Sequence, residues 1–210
     1  MVAIEKRPLF FDVDTQSDFI EKSGALYVPD AETLKPHFKQ LIRYARINHI
    51  PIWGSVDAHR PEDAELNRND GPFPDHCMQG SPGQQKIAET MPTNPTWIEN
   101  RPYLQEQLTR ILQNPDEIYF LKQSFDMFDN PNLEFMVKDF NPVVVFGVAT
   151  DYCVRAAVTG FLKRKKTVYL VKDAVKAVNP EDGQTALQQM QAKGCIFVNT
   201  DDVVNGCLEK

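Results

Sequence analysis

The chain has 210 residues, 42% of them hydrophobic, which suits one α/β domain with a sizeable core. A net charge of -6 and a pI near 5.3 exclude the basic surface that nucleic acid or anionic lipid would require. No segment approaches the roughly 18 apolar residues of a membrane span, and the N-terminus has no signal-peptide apolar core. We therefore expect a cytoplasmic protein that binds neither nucleic acid nor membrane.

Short apolar runs alternate with helical patterns along the chain. Strands are predicted at residues 9–13, 50–56, 118–121, 143–146, 167–171 and 195–198. Helices are predicted at residues 31–48, 104–112, 152–163 and 181–193. This alternation predicts an α/β three-layer sandwich, with a mostly parallel central sheet of about six strands and helices on both faces.

The segment 60–102 is rich in Pro, Gly and Asn and is too long for a plain connection, which indicates a functional loop or lid. No linker divides the chain, so we expect a single domain over residues 1–210 with this long loop inserted. The four cysteines, Cys77, Cys153, Cys195 and Cys207, show no CxxC pairing. They are expected to be reduced thiols, as in a cytosolic protein.

Cys153 lies in the most informative stretch, residues 147–154 (GVATDYCV). A predicted strand runs into a glycine turn there, and a helical pattern follows at once. Unpaired N–H groups and the helix dipole favour an anion at that point, so we expect the pKa of the thiol to be lowered. A nucleophile is one interpretation, and a buried structural cysteine is the other.

Charged side chains follow two more predicted strands. Asp14 ends the first strand, with Asp12 on the same face about 6.6 Å away along the chain. Lys122 directly follows the strand at 118–121. An ammonium beside the thiol would lower its pKa, and a carboxylate would hold the ammonium in place. Turn and cap chemistry is the alternative for the acids, with Asp18 fitting it best, and a solvated charge is the alternative for Lys122.

Asp57, His59 and His76 form a candidate metal site after the second strand. Two imidazoles and one carboxylate suit Zn²⁺, Fe²⁺ or Mn²⁺, with positions left for water or substrate. Hydrogen-bonding histidines in a polar loop are the alternative. Cys77 is adjacent to His76 and would point elsewhere, so it is left out of the set.

These segments together resemble the isochorismatase-like cysteine hydrolases, and within them the nicotinamidases. The resemblance runs from Leu9 to about Asp182. Its motifs are residues 14–19 (DTQSDF), residues 24–29 (GALYVP), Lys122 with Phe128 six residues on, residues 73–80 (FPDHCMQG) and residues 147–154. Ser17 replaces the usual Asn of the first motif, and Asp126-Met127 replaces Ser-Ala or Ser-Gly in the lysine segment.

The resemblance implies roles for several of these residues. It implies a catalytic triad of Asp14, Lys122 and Cys153. It also implies a cis peptide between Val148 and Ala149, which would aim the N–H of Ala149, with that of Cys153, into an oxyanion hole.

The resemblance further implies that Asp57, His59 and His76 hold a metal that binds the pyridine nitrogen of the substrate. The aromatic side chains assigned to the substrate pocket are Phe19, Phe73, Phe128 and Tyr152. Two departures concern this region. Phe73 replaces a common tryptophan, and Glu65 occupies the position where some nicotinamidases have another histidine.

The implied activity is hydrolysis of nicotinamide, or a similar small amide, to the carboxylic acid and ammonia through a thioester, in NAD metabolism. The implied cofactor is a divalent metal, zinc first and iron or manganese otherwise, with no organic cofactor. The expected partners are the small-molecule amide and further copies of the chain, as a dimer or tetramer built on helices that cover one sheet edge. The alternatives are a hydrolase of another amide, a carbamoyl compound or a vinyl ether, a metal-centred hydrolase, and a non-catalytic binding or scaffold protein.

Overall fold

The computed structural model describes residues 7–206, and within them seven strands form one parallel sheet. The strands are β1 (Arg7–Val13), β2 (Ile52–Asp57), β3 (Thr96–Ile98), β4 (Glu117–Lys122), β5 (Phe140–Val148), β6 (Val168–Lys176) and β7 (Ile196–Val198). Their order across the sheet is β3-β4-β2-β1-β5-β6-β7. The predicted α/β fold with a parallel central sheet is therefore confirmed. Cys207 and residues 1–6 lie outside the described residues.

Helices cover both faces of the sheet. They are α1 (Ser17–Ile20), α2 (Lys35–Ile47), α3 (Gln105–Ile111), α4 (Leu133–Met136), α5 (Arg155–Lys163), α6 (Pro180–Ala192) and α7 (Thr200–Val204). Single 3-10 turns occupy Ala31–Leu34, Asn67–Asn69, Pro82–Gln84, Met127–Asp129 and Val137–Asp139, and a π-helical turn occupies Thr150–Val154. None of the helices within residues 7–206 is long and apolar enough to cross a membrane.

The hydrophobic core divides into two clusters, one on each face of the sheet. Leu9 and Phe11 of β1 belong to the cluster beneath α5 and α6, whereas Phe10 belongs to the cluster beneath α2 and α7. Successive side chains of a strand point to opposite faces, so a strand covered on both sides must be apolar throughout. This explains why the central strands appear in the sequence as continuous apolar runs.

Two helices begin differently from their sequence patterns. Residues 31–34 form a 3-10 turn, and α2 starts at Lys35 with Pro36 in its first turn. Proline has no N–H to donate, which a helix tolerates only in its first turn. The predicted helix at 152–163 is a π-helical turn up to Val154 and becomes regular α-helix only from Arg155.

The predicted strand count of about six was one too low. The additional strand, β3, is three residues long and lies inside the segment 60–102 that was predicted as a loop. It pairs with β4 at the edge of the sheet. Three residues directly after Pro95 are too few to show an alternating pattern.

The topology brings the candidate residues to one edge of the sheet. β1 pairs with β2 on one side and with β5 on the other, so the strand order changes direction at this point. Clefts form at the carboxyl ends of strands where this happens. The β2–β4 register sets Asp57 opposite Lys122, and the β1–β5 register sets Val13 opposite Gly147. A Cβ at Gly147 would collide with the carbonyl oxygen of Val13, so only glycine fits the turn into the segment that carries Cys153.

Candidate active site

Asp14, Lys122 and Cys153 converge at the carboxyl edge of the sheet. The Lys122 Nζ lies 2.9 Å from Oδ2 of Asp14 and 3.6 Å from Sγ of Cys153. It also donates to the carbonyl of Ser124 at 3.0 Å. Asp14 and Lys122 are fully buried, and Cys153 is partly buried. A carboxylate, an ammonium and a thiol thus share one small volume that water barely enters.

Burial strongly affects the pKa values of Asp14 and Lys122. It raises the pKa of Asp14 in spite of the attraction to Lys122. Burial opposes the charge of Lys122, but the carboxylates of Asp14 and Asp57 outweigh that effect and hold its pKa well above the ordinary value. Asp14 is therefore a stronger base than an exposed carboxylate would be, beside a permanent ammonium.

The pKa of Cys153 is raised, whereas the sequence analysis predicted that it would be lowered. Burial is the largest cause, and Asp14 and Asp57 add to it while Lys122 opposes them. The prediction counted the helix N-terminus and the ammonium but not the loss of water or the two carboxylates. Cys153 is accordingly a neutral thiol at rest and needs a proton acceptor before it can act as a nucleophile.

Asp57, His59 and His76 come together beside this group. Oδ2 of Asp57 lies 3.8 Å from Nε2 of His59 and 3.7 Å from Nε2 of His76. All three side chains are buried, and their ligand atoms lie within 4.8 Å of one another. Burial opposes ionisation of Asp57, but Lys122 and the two histidines outweigh it and hold the pKa of that carboxyl below its usual range.

The second ring nitrogens of both histidines are already engaged. Nδ1 of His59 donates to Asp63 at 3.1 Å, and Nδ1 of His76 donates to the carbonyl of Pro74 at 2.7 Å. Such bonds leave Nε2 free as a metal ligand and fix the ring orientation. Among the described residues, the buried Nε2 of His59 has no hydrogen-bond partner. The donor set and this unpaired atom both fit a divalent metal.

Asp57 belongs to both groups. Its Oδ1 accepts a hydrogen bond from Lys122, while its Oδ2 faces the two imidazoles. The β2–β4 register causes this arrangement, because it ends the two strands side by side. The Asp57–His59–His76 group (the metal-type cluster) and the Asp14–Lys122–Cys153 group therefore form one continuous polar site.

A cavity opens onto this site. The residues that line it are Phe19, Leu26, Val28, Asp57, Glu65, Phe73, His76, Phe125, Val148, Ala149, Tyr152, Cys153 and Val178. Three of the aromatic residues assigned to the pocket from the sequence are among them. The peptide bond between Val148 and Ala149 is cis, at the position where the resemblance implied one.

Phe128, also assigned to the pocket, lies elsewhere, and Phe125 is the aromatic side chain from this segment that lines the cavity. The Phe128 ring packs 5.3 Å from that of Phe161 and 3.7 Å beneath the Arg164 guanidinium. Asp126 accepts the N–H of Phe128 at 2.9 Å and starts a 3-10 turn that directs the ring toward α5. The pocket assignment of Phe128 is corrected on this geometry.

Asp12 and Asp18 lie outside the Asp14–Lys122–Cys153 group. Asp12 lies 2.9 Å from the buried ammonium of Lys86 and accepts from Thr15 at 2.8 Å. Asp18 accepts the N–H groups of Ala25 at 3.0 Å and Cys77 at 2.6 Å. Asp18 is thus engaged with loop backbone, in line with the turn chemistry considered for it.

Glu65 and Val178 are among the residues of the cavity wall for which the sequence gave no role. Glu65, which the sequence marked only as a departure, places Oε2 3.6 Å from Nε2 of His59, and burial followed by repulsion from Asp57 raises its pKa. Val178 lies in a loop without any motif. Asp151 fixes that loop by accepting the N–H groups of Val178 at 3.0 Å and Asn179 at 2.9 Å.

Comparison with known proteins gives a consistent result. The family model of the isochorismatase domain matches residues 8–202. A nicotinamidase of Escherichia coli is 25% identical over 214 residues, which cover 90% of this chain and 93% of that protein. The crystal structure of pyrazinamidase of Pyrococcus horikoshii in complex with zinc has a TM-score of 0.77 at 28% identity, over 92% of this chain and 99% of that one. The N-carbamoylsarcosine amidase of Thermoplasma acidophilum shares the fold, with a TM-score of 0.71 at 24% identity over 93% of this chain and 97% of that one.

Proposed function

Because this chain belongs to the isochorismatase family and is a hydrolase of C–N amide bonds, we propose that it hydrolyses nicotinamide, or a similar small amide, to the acid and ammonia. One observation carries the proposal. The Asp14–Lys122–Cys153 group and the Asp57–His59–His76 group meet at Asp57 and open into a single cavity. A thiol nucleophile and a site for a second substrate atom are thereby held at a fixed separation.

In the acylation half-reaction, Asp14 accepts the thiol proton while Sγ of Cys153 attacks the amide carbonyl carbon. The carbonyl oxygen becomes an oxyanion, for which the N–H groups of Ala149 and Cys153 are the proposed donors, each contributing about 3 kcal/mol. Asp14 then returns the proton to the leaving nitrogen as the C–N bond breaks. Ammonia departs and a thioester on Cys153 remains.

In the hydrolytic half-reaction, Asp14 accepts a proton from water, whose oxygen attacks the thioester carbonyl. The C–S bond breaks, the thiolate regains the proton from Asp14, and the carboxylic acid leaves. Lys122 keeps its charge throughout, because two carboxylates raise its pKa. It holds Asp14 at 2.9 Å and compensates the negative charge that moves between the thiol and the carboxylate.

The other end of the cavity would hold the substrate ring. Asp57, His59 and His76 would bind a divalent metal, with zinc as the preferred candidate. The metal would supply a Lewis-acid contact for a nitrogen of the substrate ring. Phe73 and Tyr152 form an edge-to-face pair with centroids 5.6 Å apart, and Phe19 packs 5.5 Å from the ring of His76. Aromatic walls of this kind favour a small planar substrate.

We also propose broader properties of the protein. The chain functions as a single domain with a long inserted segment over residues 60–102, which ends with β3, and it assembles as a homo-oligomer. Cys77, Cys153 and Cys195 are free thiols, which supports a reducing, cytoplasmic location. A role in NAD metabolism follows from the proposed substrate.

Rates of ammonia release from three substrates test the assignment. Nicotinamide should give the highest kcat/KM, benzamide a much lower one because it lacks the ring nitrogen, and a small carbamoyl compound the lowest. A carbamoyl compound that exceeds nicotinamide would contradict the substrate class. Equal rates for nicotinamide and benzamide would remove the ring-nitrogen contact from the proposal.

A further inference from the structure

Gln16 is a fully buried amide directly behind the metal-type cluster. Its Nε2 donates to the carbonyl oxygens of Asp57 and Gln84, each at 2.8 Å. Its Oε1 accepts the N–H of Asp57, also at 2.8 Å. One side chain therefore satisfies both backbone groups of Asp57 and one carbonyl of the loop that follows His76.

The position of Gln16 follows from the way β1 ends. The β1–β2 pairing stops at Val13 opposite Ser55, and Asp14 turns the chain away with a φ of 48°. The backbone of Asp57, two residues beyond Ser55, therefore loses its strand neighbour on that side. Buried backbone N–H and C=O groups require partners, and the Gln16 amide supplies both. A side-chain amide carries two N–H donors and one carbonyl acceptor, which match the two donated bonds and the one accepted bond of Gln16.

We propose that Gln16 is a positioning residue for the metal site, which rests on the function proposed above. It fixes the backbone of Asp57 so that Oδ1 meets Lys122 while Oδ2 faces His59 and His76. Its third bond ties the loop after His76 to the same point. Without the amide, the backbone of Asp57 is no longer fixed. The distance between its carboxylate and the two imidazoles can then vary. Outer partners that orient metal ligands typically affect metal affinity by about 10- to 100-fold.

Zinc binding without substrate tests this inference. The protein is stripped of metal and titrated with zinc against a chromophoric chelator, as wild type, Gln16→Met and Gln16→Glu. Methionine keeps the side-chain length but makes none of the three bonds. Glutamate keeps an acceptor for the Asp57 N–H but cannot donate to the two carbonyls, and it decides the question if the methionine variant does not fold.

Asn132→Leu is the matched control. Asn132 is also a buried amide clamp, which accepts the N–H of Tyr103 at 2.9 Å and donates to the carbonyl of Arg101 at 2.8 Å. Its backbone partners lie in the loop after β3, and it also donates to Oδ1 of Asn130 at 3.0 Å. We expect a lower Tm for this variant with an unchanged zinc Kd, and a zinc Kd weakened about 10- to 100-fold for both Gln16 variants.

Three outcomes would overturn the inference, and they are distinguishable. Unchanged zinc affinity in both Gln16 variants would remove the positioning role while the proposed function stands. Equal weakening in Asn132→Leu would mean that any loosening of the fold has this effect. Failure of the wild type itself to bind zinc would remove the metal site from the proposed function, and the role of Gln16 with it.

Discussion

At the scale of single residues, the site depends on the different contacts that the two carboxylate oxygens of Asp57 make. One oxygen accepts from Lys122 and the other faces two imidazoles, so the charge of this carboxylate acts on both groups. Its negative charge is also one cause of the raised pKa of Cys153. A change at Asp57 should therefore alter the thiol as well as the metal site, whereas a change at His76 should alter only the latter.

Asp57→Asn tests this division in metal-free protein. Removing the negative charge favours the thiolate, so the pKa of Cys153 should fall and its alkylation by iodoacetamide at pH 8 should accelerate several-fold. His76→Asn is the control, because it removes a proposed metal ligand and leaves the Asp57 carboxylate in place. Both variants should lose zinc affinity. Equal alkylation rates for Asp57→Asn and wild type would show that the two groups are not electrostatically linked.

The alkylation rate of wild-type Cys153 should also report its raised pKa. Burial raises that pKa, so the thiolate fraction should stay small at neutral pH and increase only above the ordinary thiol value of about 8.5. Lys122→Met should move the profile to still higher pH, because it removes the ammonium that favours the thiolate. The rate is measured by mass spectrometry of the Cys153 peptide. A rate that has already reached its plateau below pH 7 would contradict the neutral resting thiol.

At the scale of secondary-structure elements, loops and turns decide which side chains reach the cavity. The 3-10 turn Met127–Asp129 directs Phe128 under α5, where Gly160 leaves room for the ring, and leaves Phe125 at the cavity mouth with 47% of its surface exposed. The sequence showed two phenylalanines three residues apart but not which one the turn would direct inward. Turn direction here depends on a side-chain bond from Asp126, which spacing alone does not reveal.

The pair Phe125→Ala and Phe128→Ala separates the two positions. Phe125→Ala should raise KM for nicotinamide and leave Tm nearly unchanged. Phe128→Ala should leave KM nearly unchanged and lower the free energy of unfolding by about 3 kcal/mol, the low end for a truncated phenylalanine. Steady-state kinetics and denaturant unfolding measure the two effects. The reverse pattern would restore Phe128 to the pocket.

The loop after β6 is held by Asp151, whose two oxygens accept consecutive backbone N–H groups. Asp151→Ala removes both bonds and should release the Val178 wall of the cavity. We therefore expect KM to rise by about 10-fold while kcat changes less, because hydrogen bonds to a charged group contribute about 1.5–3 kcal/mol each and water replaces part of that. A collapse of kcat at constant KM would instead place Asp151 with the nucleophile.

At the scale of the whole molecule, the fold was largely predictable because its central strands are buried on both faces. Apolar runs followed by helical patterns require a parallel sheet, and a parallel sheet gathers the residues after its strands at one edge. Asp14, Asp57, Lys122 and Cys153 each follow such a run, so their convergence could be predicted from chain order. The edge strand β3 could not be predicted, because three residues are too few to show the alternating pattern of a strand.

Other features of the site depend on contacts that no pattern in the sequence records. The shared use of Asp57 results from the register of β2 against β4. The direction of the Cys153 pKa depends on how much water the finished fold excludes and on how many carboxylates face the thiol. Both are properties of the assembled edge of the sheet and not of any one segment.

The most direct test of the account is ammonia release from nicotinamide by zinc-loaded wild-type protein and by Cys153→Ala, with bound zinc measured in both. We expect the wild type to release ammonia and the variant to release none above background while still binding zinc. More than a few per cent of the wild-type rate in Cys153→Ala would rule out Cys153 as the nucleophile, and would assign the chemistry to Asp57, His59, His76 and their metal.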